Sequence, residues 1–98
     1  MLTLDNLIEI LRLNMNNFKE KYNVKKLGIF GSYARGEETN NSDVDILVFY
    51  DGVLNSNHFR LNFELEELLN KKVDLATLNS LRENTKSNAL RDVIYIEK

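Results

Sequence analysis

At 98 residues the chain has room for one core and not for a second independent one, so a single domain over residues 1–98 is expected. Hydrophobic residues at 43% and charged residues at 29% are ordinary for a soluble globular protein. A net charge of −2, with Lys and Arg scattered, argues against nucleic acid as a direct partner, and the absence of cysteine excludes disulfides, thiol nucleophiles and Cys-based zinc sites.

Leu4, Leu7, Ile8, Leu11, Met15, Phe18 and Tyr22 recur at i, i+3, i+4 and i+7, the spacing of a helix with one apolar face. Thr3 or Asp5 is placed to cap it. "KKLGIF" (Lys25 to Phe30) reads as a short buried strand running into a turn at Gly31, and "DVDILVFY" (Asp43 to Tyr50) as a second, central strand. Asp51 and Gly52 mark a turn. Residues 56 to 71 carry two patterns: Phe59, Leu61, Phe63 and Leu65 alternate like a strand, while Leu61, Leu65, Leu68 and Leu69 fit a helix. Length and the Glu and Leu content favour the helix. "KKVDLAT" (Lys71 to Thr77) follows as a third strand, and Ser80 with Glu83 matches a capping box opening a helix to about Asp92. "VIYIE" then closes the sheet. This order predicts an α/β (α+β) fold, a mixed β-sheet with helices packed against it. The longest apolar run, Ile46 to Tyr50, is far too short to span a bilayer, and no secretion signal is visible, so a cytoplasmic location is expected.

Two stretches carry chemistry. Asp43 and Asp45 stand two positions apart at the start of the second strand, which puts their carboxylates on one face about 7 Å apart. A divalent cation with hard oxygen ligands, Mg²⁺ above all, offsets their repulsion. An isolated Asp-x-Asp at an exposed strand end would be unremarkable, and the spacing of an EF-hand loop is missing. Upstream, Gly31 and Ser32 follow a strand and lead into a short helical turn closed by Gly36. Backbone N–H groups at such a turn face an anion, and Arg35 adds a bidentate contact suited to phosphate. A P-loop is excluded, because Glu37 and Glu38 occupy the positions of its Lys and Ser/Thr. Asp74, an acid inside the apolar run "KVDLA", is the candidate for a third carboxylate brought alongside by a neighbouring strand.

Taken together, "GSYARGEETNNSDVDILV" resembles the nucleotidyltransferase signature of the DNA polymerase beta superfamily, and the chain as a whole resembles its minimal nucleotidyltransferases. The resemblance implies the nucleotidyltransferase fold, with Gly31, Ser32 and Arg35 binding ATP through its phosphates. It implies that Asp43, Asp45 and Asp74 ligate two Mg²⁺ ions, Asp74 also serving the acceptor hydroxyl. Ser42 matches the motif as a residue that fixes the turn into the strand. The predicted elements leave no acceptor-binding domain. Minimal nucleotidyltransferases of this kind pair with a HEPN-domain toxin, and the resemblance implies an antitoxin that transfers AMP to a toxin tyrosine. A small-molecule acceptor such as an aminoglycoside hydroxyl, and a binding-only antitoxin without turnover, are the alternatives. Tyr33 and Tyr50 flank the motif and are candidates for self-modification, although core packing suits Tyr50 better. The single His58 reads as a solvated surface residue, and Lys19, Lys21, Lys25 and Lys26 as a solvated face.

Overall fold

The computed structural model describes residues 1–52 and 57–97. Helix α1 (Leu4–Tyr22) starts where Thr3 Oγ1 accepts the Asn6 N–H at 3.1 Å, so Thr3 is the cap. It stops at Asn23, whose left-handed φ of +58° turns its N–H back onto the Lys19 and Phe18 carbonyls. Of the predicted stripe, Leu7, Leu11, Met15, Phe18 and Tyr22 are buried, while Leu4 and Ile8 pack partly exposed at its edge. Strand β1 (Val24–Phe30) follows, then the four-residue helix α2 (Gly31–Ala34) and strand β2 (Val44–Tyr50). Helix α3 (His58–Leu69), strand β3 (Val73–Ala76), a 3₁₀ turn (Leu78–Ser80), helix α4 (Glu83–Asp92) and strand β4 (Ile94–Tyr95) complete the order. Ser56, the first residue of the predicted helical stretch, lies outside the described residues.

The strands lie in the order β3-β2-β1-β4. β1 runs antiparallel to β2 and β4, whereas β2 and β3 are parallel, with α3 as the crossover that a parallel pair requires. Alternation along the strands divides the side chains between two unequal layers. Leu27 and Ile29 of β1, Val44, Ile46 and Val48 of β2, and Val73 of β3 join the buried faces of α1 and α3 in the main core. Phe30, Leu47 and Ala76 point the other way and form a smaller cluster with Ala89 of α4, flanked by the partly buried Phe49, Leu78, Leu81 and Val93. That thinly covered second face also carries Asp45 and Asp74, which are register partners of each other. Leu61, Leu65 and Leu69 are buried while Phe59 and Phe63 stand exposed, so the alternating pattern in this stretch marks opposite sides of one helix.

Two expectations need correction. Regular pairing of β2 begins at Val44, whose N–H donates to Lys72 O at 3.0 Å, so Asp43 sits just ahead of the strand, exposed. The capping box is not Ser80 with Glu83. Ser80 Oγ instead accepts the Thr77 N–H at 3.2 Å and donates to Thr77 O at 2.8 Å, boxing the 3₁₀ turn one step earlier. α4 opens at Arg82 with no side-chain cap.

Glu64 ties the two large helices together. Its carboxylate accepts from Asn17 Nδ2 at 3.0 Å, Lys21 Nζ at 3.0 Å and Tyr22 Oη at 2.5 Å. Burial alone would raise its pKa, but these donors outweigh burial and hold it below the ordinary glutamate range. Such a group contributes stability at neutral pH that is lost as pH falls through its lowered value. Glu64→Gln should therefore cost about 1–2 kcal/mol at pH 7 and less in acid, read from denaturant melts at pH 7 and pH 3. Equal losses at both pH values would show that the charge is irrelevant.

Candidate active site at the open end of the sheet

The site grows from the end of β1. Gly31 has φ +72°, a conformation that side chains strain to adopt, and a Cβ there would stand 2.1 Å from Asp45 Oδ2. Glycine is thus demanded twice, by the backbone and by the carboxylate that closes onto it. Among the described residues no side chain caps α2, which leaves its first-turn N–H groups available to an anion. Gly36, at φ +71°, then turns the chain away. Ser42 holds the following turn as expected: its Oγ accepts the Thr39 N–H at 2.8 Å, and its own N–H reaches Thr39 O at 3.1 Å.

Because Asp45 and Asp74 are partners in a parallel pair, their side chains leave the sheet on the same side. Asp45 is half-buried; Asp74 and Asp43 are exposed. The Asp45 carboxyl is pushed up to about 6, first by burial, then by the charges of Asp74 and Asp43, with Arg35 opposing. Asp45 therefore feels both other acids, and none of the three forms an ion pair with a described residue. Among the described residues no three acidic or imidazole groups converge closely enough to hold a metal ion by themselves.

A cavity of about 280 Å³ lies over this end of the sheet. It brings together Gly31, Arg35, Asp45 and Asp74 from the sequence-predicted set; Ser32 and Asp43 are not among its lining. Arg35 is held by Glu37 Oε1 at 2.9 Å and, from α4, by Asp92 Oδ2 at 3.7 Å. The opposite wall is α4, through Thr85, Asn88 and Ala89, which sequence reasoning missed. Their signal was there in faint form: Thr85, Asn88 and Asp92 fall at steps of three and four, one face of a helix. A larger groove of about 510 Å³ runs between α1 and α3 beside Phe59 and Phe63. It lies on the far side of the sheet from the glycine turn and the paired acids, so volume alone does not make it the site.

Three assignments near the motif change. Tyr33 is fully buried and its hydroxyl donates to Leu2 O at 3.2 Å, which removes it as a modification target. Tyr50 lies five residues along β2 from Asp45, about 16 Å away, too far for a reacting hydroxyl. His58 is not solvated: it is half-buried, with Nδ1 2.8 Å from Tyr50 Oη and Nε2 3.2 Å from Leu75 O. Its partners satisfy both ring nitrogens, and the ring pins the start of α3 to β2 and β3. Of the lysines, Lys19 and Lys25 are exposed as expected. Lys21 pairs with Glu64, and Lys26 Nζ lies 4.8 Å and 4.1 Å from the ring centroids of Phe49 and Tyr95.

An antiparallel strand pair is thus extended by a parallel third strand, with acids on its open face. The chain belongs to the nucleotidyltransferase-domain family, whose profile matches residues 14–96. It is 45% identical over 98 residues to a Methanocaldococcus jannaschii protein provisionally named a protein adenylyltransferase, covering 98% of this chain and 100% of that one. It is 39% identical over 97 residues to the protein adenylyltransferase MntA of Thermococcus cleftensis, covering 98% of each. Among solved structures, one provisionally described as a minimal nucleotidyltransferase superposes with a TM-score of 0.78 at 30% identity, over 95% of both chains. A chain of a toxin–antitoxin crystal structure with AMP-PNP superposes with a TM-score of 0.69 at 26% identity, over 98% of this chain and 73% of that one. The expected nucleotidyltransferase fold is the observed one. No helix among the described residues is long and apolar enough to cross a membrane.

Proposed function

We propose that this chain transfers AMP from ATP to a hydroxyl, a tyrosine for preference, of a partner toxin of the HEPN class, and so acts as its antitoxin. The observation that carries the reading is Asp45: a carboxylate closed onto the Gly31 turn, facing Asp74 in register, and burdened with negative charge. Names of the relatives as protein adenylyltransferases, and the toxin–antitoxin neighbour with a nucleotide analogue, support the donor and the partner.

The residues fit the Mg²⁺ ions that such chemistry uses. The donors are hard carboxylate oxygens, and Asp45 is half-buried beside Asp74 and Asp43, a burial and repulsion that a divalent cation would offset. Asp45 and Asp74, with Asp43 beside them, would hold two ions, which when bound supply electrostatic stabilisation of the phosphoryl group and the leaving pyrophosphate. The chain's own part is positioning. Gly31 and Ser32 present the α2 N–H groups to the triphosphate, and Arg35 anchors its far end. The acceptor oxygen attacks the α-phosphorus, the bond from that phosphorus to the α,β-bridging oxygen breaks, and the hydroxyl proton passes to an Asp74 carboxylate oxygen. The second face of the sheet carries the smaller of the two clusters, under α4 and the residues flanking it, and leaves Asp74 exposed, which suits an acceptor carried in on another protein.

The test is an intact-mass spectrum of the partner after incubation with this chain, Mg²⁺ and ATP, beside an Asp43→Ala control. A gain of whole AMP units that the control lacks is the expected result. A tight complex with no mass gain overturns transfer in favour of neutralisation by binding.

A further inference from the structure

Resting on that reading of the cavity as a nucleotide site, we infer that Thr85 and Asn88 of α4 form a subsite for the sugar hydroxyls of the nucleotide. The cavity is polar at two places for reasons already given: Asp45 and Asp74 on the sheet, and Arg35 on the α2 side. Its remaining polar lining is Thr85 and Asn88, both neutral and both exposed toward ligand-accessible space. A hydroxyl and an amide each donate and accept, which suits an alcohol and gives no special affinity for a phosphate.

Position along α4 selects the sugar among the alcohols. Asp92 stands beside Arg35, at 3.7 Å, and so marks the end of the helix nearest the triphosphate tail. Asn88 lies about 6 Å back along the axis and Thr85 about 4.5 Å beyond it. A nucleoside triphosphate with its β- and γ-phosphates at Arg35 and its α-phosphate at the paired acids continues in that same direction. The group bonded to the α-phosphate on the side away from the β-phosphate is the sugar, and it arrives opposite Asn88 and Thr85. Neither residue supports the core, since both are exposed while Ala89 beside them is buried. Alanine at either place raises helix propensity rather than lowering it, so the variants fold.

The experiment measures Mg²⁺-dependent binding of ATP, 2′-deoxy-ATP and 3′-deoxy-ATP to the full chain and to its Asn88→Ala and Thr85→Ala variants. Expected for at least one variant is a loss of roughly 5- to 20-fold for ATP, the scale of one or two neutral hydrogen bonds. For the analogue lacking the hydroxyl that this residue contacts, wild type and variant should bind alike. A variant loss of the same size for all three nucleotides overturns the sugar subsite. So does unchanged nucleotide binding with a raised KM for the acceptor, which would assign the pair to the acceptor instead. If the wild-type chain binds none of the three, the nucleotide reading itself fails and takes the subsite with it.

Discussion

Asp45→Asn should abolish transfer and at the same time make the protein without bound metal more stable at neutral pH. The carboxyl is pushed up from 3.8 to about 6, by burial first and by Asp74 and Asp43 next. Below about pH 4 the acid is protonated in both folded and unfolded chains, and its neutral form is tolerated. Between about 4 and 6 the unfolded chain sheds the proton first, so the folded state binds more protons and stability falls as pH rises. By pH 7 the whole cost is present. The full shift corresponds to about 3 kcal/mol, and half-exposure to solvent reduces it to about 1–2 kcal/mol. A neutral isostere escapes that cost. Thermal melts in chelator should show the variant several degrees above wild type at pH 7.5 and level with it near pH 4. Mg²⁺ should raise the wild-type midpoint at pH 7.5 and raise the variant's, which keeps Asp43 and Asp74, by less. Transfer, in contrast, should drop roughly a thousandfold or more, because the lost charge is part of what balances the reacting phosphoryl group. A variant less stable than wild type at pH 7.5 would show that Asp45 is compensated within the chain and needs no cation.

This opposition between stability and use explains why the second face of the sheet is so thinly packed. Covering Asp45 and Asp74 with apolar residues would enlarge the small cluster around Phe30, Leu47, Ala76 and Ala89. It would also deny access to the carboxylates. Stability is instead concentrated on the other face, where α1 and α3 bury Leu7, Leu11, Met15, Leu61 and Leu65 against the sheet, with Glu64 joining the helices at the rim.

How far residues alone predicted this arrangement depends on whether their partners are local. Strand β2 and the glycine turn are legible, because burial period, turn chemistry and a bipartite motif all point the same way; Asp74 is legible only as an acid in an apolar run on a neighbouring strand, and its register with Asp45 comes from the fold. His58 reads as solvated because both its partners, Tyr50 Oη of β2 and Leu75 O of β3, come from strands outside its own helix and leave no trace in the sequence around the histidine. Tyr33 looked free to react for the same reason: what buries it includes the chain before α1, with Leu2 O as its acceptor. The misplaced capping box had a different cause. Thr77-x-x-Ser80 and Ser80-x-x-Glu83 overlap in Ser80, and local spacing cannot decide which of two boxes one hydroxyl joins. Thr85 and Asn88 were passed over because neutral polar residues on an exposed helix face look like solvated ones until a cavity is seen between that face and the sheet.

Gly31→Ala should be the most damaging single-methyl change in the chain, and the reason can be divided experimentally. The left-handed φ of +72° costs an alanine about 1–2 kcal/mol, and the new Cβ, 2.1 Å from Asp45 Oδ2 and 2.9 Å from Asp45 Cγ, adds an overpacking cost of about 1–3 kcal/mol. Together these lower the melting temperature on the order of 10–20 °C for a chain of this length. Displacing the Asp45 carboxylate by even an ångström costs roughly a hundredfold in rate, so transfer falls whether or not the fold survives. A double-mutant cycle with Asp45→Ala separates the two contributions. In that background the carboxylate is gone and only Asp45 Cβ remains, 3.2 Å from the added methyl, a contact relieved by a shift of a few tenths of an ångström. The stability cost of Gly31→Ala should then shrink to its backbone share, a coupling of about 1–3 kcal/mol between the two positions. Strict additivity would mean that the glycine serves only the turn. A measured coupling would mean that the same missing side chain shapes the phosphate turn and admits the carboxylate, which is why the two halves of the motif cannot vary independently.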